Sequence, residues 1–199
     1  MIKKYCFIIL ITFGCVKKNE RVSIDRNSKL KKVITKDSLF IKPKYISYKF
    51  DFPVGKPNAK GYYNAQKFQK NDHLGDDWNS VKGGNSDLGD TIYAISNGYI
   101  SSVKNYNGDW GNIIRIIHFL PNDKKVESLY AHCDTILAKP KTWVKKGDPI
   151  GTIGNVNGIY FAHLHLEIRN KIHMPIGAGY SKDTIGYLDP TRFINNNRN

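Results

Sequence analysis

The chain has 199 residues, of which 40% are hydrophobic and 24% charged, the balance of an ordinary folded domain, which excludes collagen, coiled coil and wholesale disorder. No apolar run reaches the roughly 18 residues of a membrane-spanning helix, and three cysteines with no CxxC pair exclude a disulfide-stapled miniprotein and a thiolate metal site. A net charge of +14 points to an anionic partner: nucleic acid, a membrane surface or an acidic wall polymer.

In chain order, Lys3 and Lys4 form a positive n-region and Tyr5 to Phe13 an apolar stretch of signal-peptide length. Thr12-Phe13-Gly14-Cys15 then places a small residue before a cysteine, which resembles a bacterial lipobox. Residues 1–14 are therefore expected to be a signal peptide, and Cys15 the lipidated first residue of an exported, envelope-anchored chain. A secreted or periplasmic protein with a chance cysteine is the plainer alternative. Removing residues 1–14, with their two lysines, leaves a net charge of +12. Export argues against nucleic acid and favours anionic wall polymer, with membrane contact only through the anchor.

Residues 15–45 are polar and basic (KKNER, RNSKLKK) and read as a tether or arm, to which Leu39-Phe40-Ile41 adds one possible edge strand. Residues 46–199 read as one β-rich domain. Short β-forming runs occur at Thr91–Ser96, Tyr99–Val103, Asn112–Leu120, Val126–His132, Pro149–Ile153 and His163–Ile168. Asn97-Gly98, Asn107-Gly108 and Asn157-Gly158 are hairpin candidates, since both residues tolerate positive φ. A helical turn or two is expected only around Asn64–Lys70.

Chemistry concentrates in the histidines. In His163-Leu164-His165-Leu166-Glu167-Ile168 a strand puts His163, His165 and Glu167 on one face and the aliphatic residues on the other. Such a polar face suits a metal, a wet catalytic groove or a half-exposed edge. His73-Leu74-Gly75-Asp76-Asp77 spaces an imidazole and a carboxylate so that both can meet one cation, or simply forms a polar turn. Leu129-Tyr130-Ala131-His132 ends a strand on a further histidine.

Taken together and in this order, His73-x3-Asp77, Tyr130-x-His132 and His163-x-His165 resemble the lysostaphin-type (LytM-type) zinc metallopeptidases that cut peptidoglycan peptides. The resemblance continues in Asp87–Ala94, Asn97–Ile100, Trp110–His118, Val144–Gly151 and Leu188-Asp189-Pro190, and so spans about Phe50 to Phe193. It implies a compact antiparallel β-sandwich-like domain with an open groove and few short helices, of the duplicated hybrid motif type. It further implies one zinc per chain on His73, Asp77 and His165, with His132 and His163 as catalytic histidines. Three protein ligands leave the fourth tetrahedral position for water, as in catalytic sites. One catalytic histidine would take the water proton, the other stabilise the oxyanion or protonate the leaving amine; the resemblance does not say which. The implied activity is a metalloendopeptidase of the cell wall. Rivals are a non-catalytic peptidoglycan-binding regulator of another hydrolase and a secreted peptidase acting on proteins.

Asn155–Phe161 departs from the family's usual run, so the groove wall there is expected to differ. Glu167 is either a support for an imidazole or a solvent contact. Trp78, Tyr93, Tyr99 and Trp110 are candidates for groove or core. His118 is read as structural, His173 as solvated, and Cys133 as a small buried residue.

If the lipobox reading holds, the mature chain starts at a lipidated Cys15 and partitions into detergent, and Cys15→Ala releases it from the membrane fraction. Detergent partition with mass spectrometry of the mature N-terminus measures this; an unmodified N-terminus elsewhere refutes it.

Overall fold

The computed structural model describes residues 43–198. The expected signal peptide, Cys15, the basic arm before Pro43 and the edge strand expected at Leu39–Ile41 all fall outside the described residues. No helix among those described is long and apolar enough to cross a membrane.

The described residues form ten strands: β1 (Tyr62–Gln66), β2 (Asp76–Ser80), β3 (Thr91–Tyr93), β4 (Gly98–Asn105), β5 (Asn112–Phe119), β6 (Lys125–Ile136), β7 (Trp143–Val144), β8 (Pro149–Ile153), β9 (Leu164–Arg169) and β10 (Tyr187–Leu188). All their ladders are antiparallel, in the order β1-β2-β9-β6-β5-β4-β7, with β10 on β9, β8 on β6 and β3 on β8. This is the β-rich, open antiparallel architecture that the sequence leads one to expect. Among the described residues one α-helix, α1 (Pro190–Asn196), follows β10; Pro190 opens it and the Asp189 carboxylate accepts from the Arg192 amide.

β5, β6 and β9 occupy the middle of the sheet and are buried on both faces. Their two faces differ in chemistry. On one, Ile114, Ile116, Tyr130, Leu164, Leu166 and Ile168 join the main core with Phe50, Trp78, Ile92, Ile150 and Ile194 of α1. On the other, a small apolar cluster of Ile113, Leu129 and Ala131 lies beside buried Arg115, Glu127, His165, Glu167 and Arg169. Strand alternation produces this split directly: leucines and isoleucines at even positions of β9, titratable groups at odd ones. The functional face is thus a sheet face.

Two local readings differ from the structure. Asn64–Gln66 is not helical but belongs to β1, paired to β2 at Asn64↔Trp78 and Gln66↔Asp77. After it comes a single 3₁₀ turn at Lys70–Asp72, preceded by Gln69 at φ 62°. Weak local helix preference loses to a long-range ladder that buries Trp78. Of the Asn-Gly pairs, only Asn107-Gly108 lies in a hairpin connection, between β4 and β5. Gly98 instead starts β4, where a Cβ would come within 2.5 Å of Ile116 Cγ2 and 2.8 Å of the Ile117 carbonyl. Asn157-Gly158 sits in the crossing from β8 to β9, which flank β6 on separate ladders.

His118 proves structural. Its Nδ1–H donates to the Asn97 carbonyl at 2.8 Å, and its Nε2 accepts from Ser128 Oγ at 2.7 Å. Tyr130 Oη, 3.2 Å from Ser128 Oγ, accepts from the Ile95 amide at 3.1 Å, so the chain of bonds stitches the β3–β4 connection to β5 and β6. Complete burial pulls His118 down from 6.5 to about 4, against the opposing pull of the Asn97 carbonyl.

The unfolded chain therefore binds a proton at this position before the folded one does. Its contribution to stability is whole above pH 6.5 and is lost as pH falls through about 4. Replacing His118 by Gln is expected to flatten the stability–pH curve in that window, whatever the variant's stability at neutral pH. Urea unfolding at several pH values measures the slope; equal slopes in both proteins refute it.

Candidate metal centre

Register builds the centre. β2 and β9 pair with Asp77 opposite His165, and β9 and β6 pair with His165 opposite Ala131. His73 precedes β2 and is held by its own bridge to Tyr180, with the Leu74 amide donating to the Gly179 carbonyl at 2.9 Å. The chain then passes tightly over the His165 ring at Gly75. A Cβ there would lie 2.5 Å from the Leu166 carbonyl oxygen and 2.7 Å from His165 Cε1. That closeness is why a glycine separates His73 from Asp77.

The three side chains converge. His165 Nδ1 lies 2.9 Å from Asp77 Oδ1 and 3.0 Å from His73 Nε2, and His73 Nε2 lies 3.3 Å from Asp77 Oδ1. All three residues are buried. Among the described residues they are the one trio of His, Cys, Asp or Glu side chains with ligand atoms gathered this closely. Two imidazole nitrogens and one carboxylate oxygen are zinc donors. A tetrahedral zinc with bonds of about 2.0–2.1 Å spaces its ligands by about 3.3 Å, so the triangle fits with an opening of a few tenths of an ångström. His73 Nδ1 is buried without a hydrogen-bond partner, while its Nε2 faces the other donors.

Charge within the trio is tightly coupled. Burial alone would raise the Asp77 carboxyl and depress His165. Hydrogen bonds from His165 and His73 reverse the first, holding Asp77 well below the usual carboxylate range. Bonds to Asp77 and Glu167 reverse the second and lift His165 to about 9.

His132 arrives by a bulge. β5 and β6 pair at Asn112↔Cys133 and Ile114↔Tyr130, so Ala131 and His132 together face Ile113 alone. His132 takes φ 59°, a left-handed conformation uncommon outside glycine, at the point where β6 leaves β9 for β8. The bulge turns its ring toward the trio, 5.7 Å from the His165 ring and 4.7 Å from that of His163. Gly154 makes room beneath; a Cβ there would sit 2.4 Å from the His132 carbonyl oxygen. Burial, then the neighbouring His165 and His163, depress His132 to about 3. His163 bridges back to Gly154, and its Nδ1–H donates to the Phe161 carbonyl at 2.8 Å.

The five residues open on a groove of about 640 Å³ walled by Tyr106, Trp110, Tyr160 and Tyr180. Among the described residues no lysine or arginine lines it. Of the aromatic candidates read from sequence, Trp110 alone reaches it, donating its indole N–H to the Gly177 carbonyl at 3.2 Å. Trp78 packs on Phe52, Tyr99 on Trp143, and Tyr93 lies under Lys56. Tyr160 belongs to the Asn155–Phe161 run expected to form groove wall; the missed members, Tyr106 and Tyr180, come from loops, and no spacing in the sequence links them. Cys133 is buried in the core, His173 has an exposed ring, and Glu167 is fully buried, which removes the solvent-contact reading.

The family model "Peptidase family M23" matches residues 77–176. The lipoprotein NlpD of Yersinia enterocolitica is 40% identical over 83 residues, 42% of this chain and 80% of that protein. The murein hydrolase activator NlpD of Escherichia coli K12 is 39% identical over 83 residues, but this stretch is only 21% of its length. Among solved structures, a zinc-containing peptidase from Vibrio cholerae aligns with a TM-score of 0.51 at 24% identity, over 65% of this chain and 41% of that one. CbpA from L. salivarius REN aligns with a TM-score of 0.54 at 21% identity, over 75% and 96%. At such identities these two likenesses concern the fold.

Gly75→Ala forces a methyl against the Leu166 carbonyl and the His165 ring. It is expected to cost about 1–3 kcal/mol of stability, the usual range for overpacking a tight site. Chemical denaturation against wild type measures it; an unchanged midpoint refutes the close-approach account.

Proposed function

Because the chain belongs to peptidase family M23, we propose that it is a zinc-dependent endopeptidase acting on the peptides of peptidoglycan. The observation that carries the proposal is the buried trio of His73, Asp77 and His165, facing a groove that holds two further imidazoles. His73, Asp77 and His165 would hold the ion and His132 and His163 would do the proton work. When bound, zinc supplies a Lewis acid and lowers the pKa of water toward about 7.

The chain's own residues divide the rest. His163 spends its Nδ1–H on the Phe161 carbonyl, which leaves Nε2 with a lone pair. That nitrogen takes the proton from the attacking water and returns it to the leaving amine, and the Phe161 carbonyl steadies the imidazolium formed between. His132, kept neutral by burial, offers a ring N–H to the carbonyl oxygen as negative charge develops on it. Its unusual backbone, fixed by the bulge and by Gly154, holds that ring in place before substrate arrives.

The aromatic walls suit an extended peptide whose side chains alternate between them. Peptidoglycan as substrate is supported by the murein-related names of the relatives and by the expected export of a strongly basic chain. A second reading, favoured by the same relatives, makes the protein an activator of another wall hydrolase. The complete donor trio favours hydrolysis, since activation by binding has no need of it.

Digestion of purified peptidoglycan, followed by mass spectrometry of released fragments, is the test. The zinc-loaded protein is expected to cleave peptide bonds unaided. His73→Ala, Asp77→Ala and His165→Ala lose metal and activity together. His132→Ala and His163→Ala keep the metal and lose at least about 10²-fold in turnover. No hydrolysis alone, with stimulation of a separate hydrolase, establishes the second reading instead. A metal-free His132→Ala or a fully active His163→Ala overturns the division of roles.

A further inference from the structure

The functional face of the sheet holds four fully or almost fully buried charges: Arg115, Glu127, Glu167 and Arg169. They come from three adjacent strands, β5, β6 and β9, and form two ion pairs, Arg115–Glu127 and Arg169–Glu167. Buried pairs seldom add net stability, because desolvation offsets their attraction. Packing alone does not call for them.

Their free valences show two uses. Arg169 donates to the Pro175 carbonyl at 2.9 Å and the Ile176 carbonyl at 2.8 Å, and Arg115 to the Met174 carbonyl at 2.8 Å. Glu127 accepts from the His173 amide at 3.0 Å. The pairs thus clasp the loop that runs on into Ala178, Gly179 and Tyr180 of the groove wall. The second use belongs to Glu167 alone. Its Oε2 receives Arg169 Nε at 2.6 Å, and its Oε1 faces His165 Nε2 at 3.3 Å.

A carboxylate beside Nε2 is an acceptor, so that nitrogen carries the proton. The other ring nitrogen, Nδ1, is then the one presented to Asp77 and His73, at 2.9 and 3.0 Å. We propose that Glu167, aimed by Arg169, is a positioning residue that fixes the ring angle and tautomer of His165 so that its Nδ1 is the metal donor. This rests on the reading of His73, Asp77 and His165 as a zinc site. Glu127 is the built-in comparison: equally buried, equally paired to an arginine, and in contact with none of the three donors.

The experiment measures zinc affinity by competition with a chromogenic chelator for wild type, Glu167→Gln and Glu127→Gln. It is joined by nitrogen-15 NMR of the histidines in zinc-loaded wild type. Glu167→Gln keeps the shape but turns a charged acceptor into a neutral amide, and is expected to weaken zinc binding about 10–100-fold, the usual effect of an outer partner of a ligating histidine. Glu127→Gln, which touches the clasped loop but none of the three donors, loses less affinity than Glu167→Gln. The NMR spectrum shows His165 protonated at Nε2 and coordinated through Nδ1. Equal affinity in Glu167→Gln and wild type, an equal loss in Glu127→Gln, or coordination through Nε2 each overturns the proposal. The NMR result stands on wild type alone, so a poorly folded variant does not remove the test. A wild-type protein that takes up no zinc overturns the metal reading itself, a separate result.

Discussion

Everything at the candidate centre hangs on the register of three antiparallel strands. Asp77 stands opposite His165, and His165 opposite Ala131 next to His132. Side chains alternate across a strand, so a slip of one residue in β9 would exchange Leu164 and Leu166 for His165 and Glu167. The core would receive imidazole and carboxylate, and the groove would receive leucine. Both errors are costly, the first by the desolvation of charge and the second by exposure of apolar surface. The pattern of β9 therefore guards its own register. The apolar residues that fill the main core hold the titratable ones in their places.

Regular pairing brings together only part of the set. A flawless ladder would point His132 to the main-core face with Tyr130, away from the face that carries Ala131 and His165. The bulge opposite Ile113 supplies the missing rotation, and a left-handed backbone at a bulky residue is the strained conformation that comes with it. Two glycines absorb the resulting crowding. Gly75 lets the chain before β2 lie against the His165 ring, and Gly154 lets the end of β8 lie against the His132 backbone. Neither glycine touches a substrate in the proposed mechanism, yet each sets a distance between residues that would.

Burial gives the histidines different characters from the same side chain. His118, bonded at both nitrogens within the core, is a fastener between strands. His165, between two carboxylates, is shifted toward its protonated form. His132, buried without a carboxylate against it, is held neutral. His163 faces the groove with one nitrogen committed to a carbonyl. These differences come from what each ring touches. They underlie the proposed split between metal donor, proton carrier and neutral hydrogen-bond donor.

By itself the sequence determined what is local and periodic. The alternation His163, His165, Glu167 against Leu164, Leu166, Ile168 places one set on a functional face and the other in the core, because the strand period is two whatever the strand packs against. The spacing of His73 and Asp77 around a glycine, and the continuous apolar run of β5, were legible as local patterns too. Tertiary structure decided what depends on partners distant in the chain. Asn64–Gln66 became strand because β2 was available to pair with it, although its own preference is weakly helical. Asn97-Gly98 and Asn157-Gly158 are not hairpin turns, because the strands around them pair elsewhere. The bulge at His132 arises from the mismatch between β5 and β6 and leaves no mark in either strand alone. The groove walls, Tyr106, Tyr160 and Tyr180, are contributed by loops far apart in the chain, and Glu167 became a partner of His165 rather than of solvent only when the Lys171–Ile176 loop was clasped over it. Local pattern sets which way a side chain points; only the assembled sheet and its loops set what it meets.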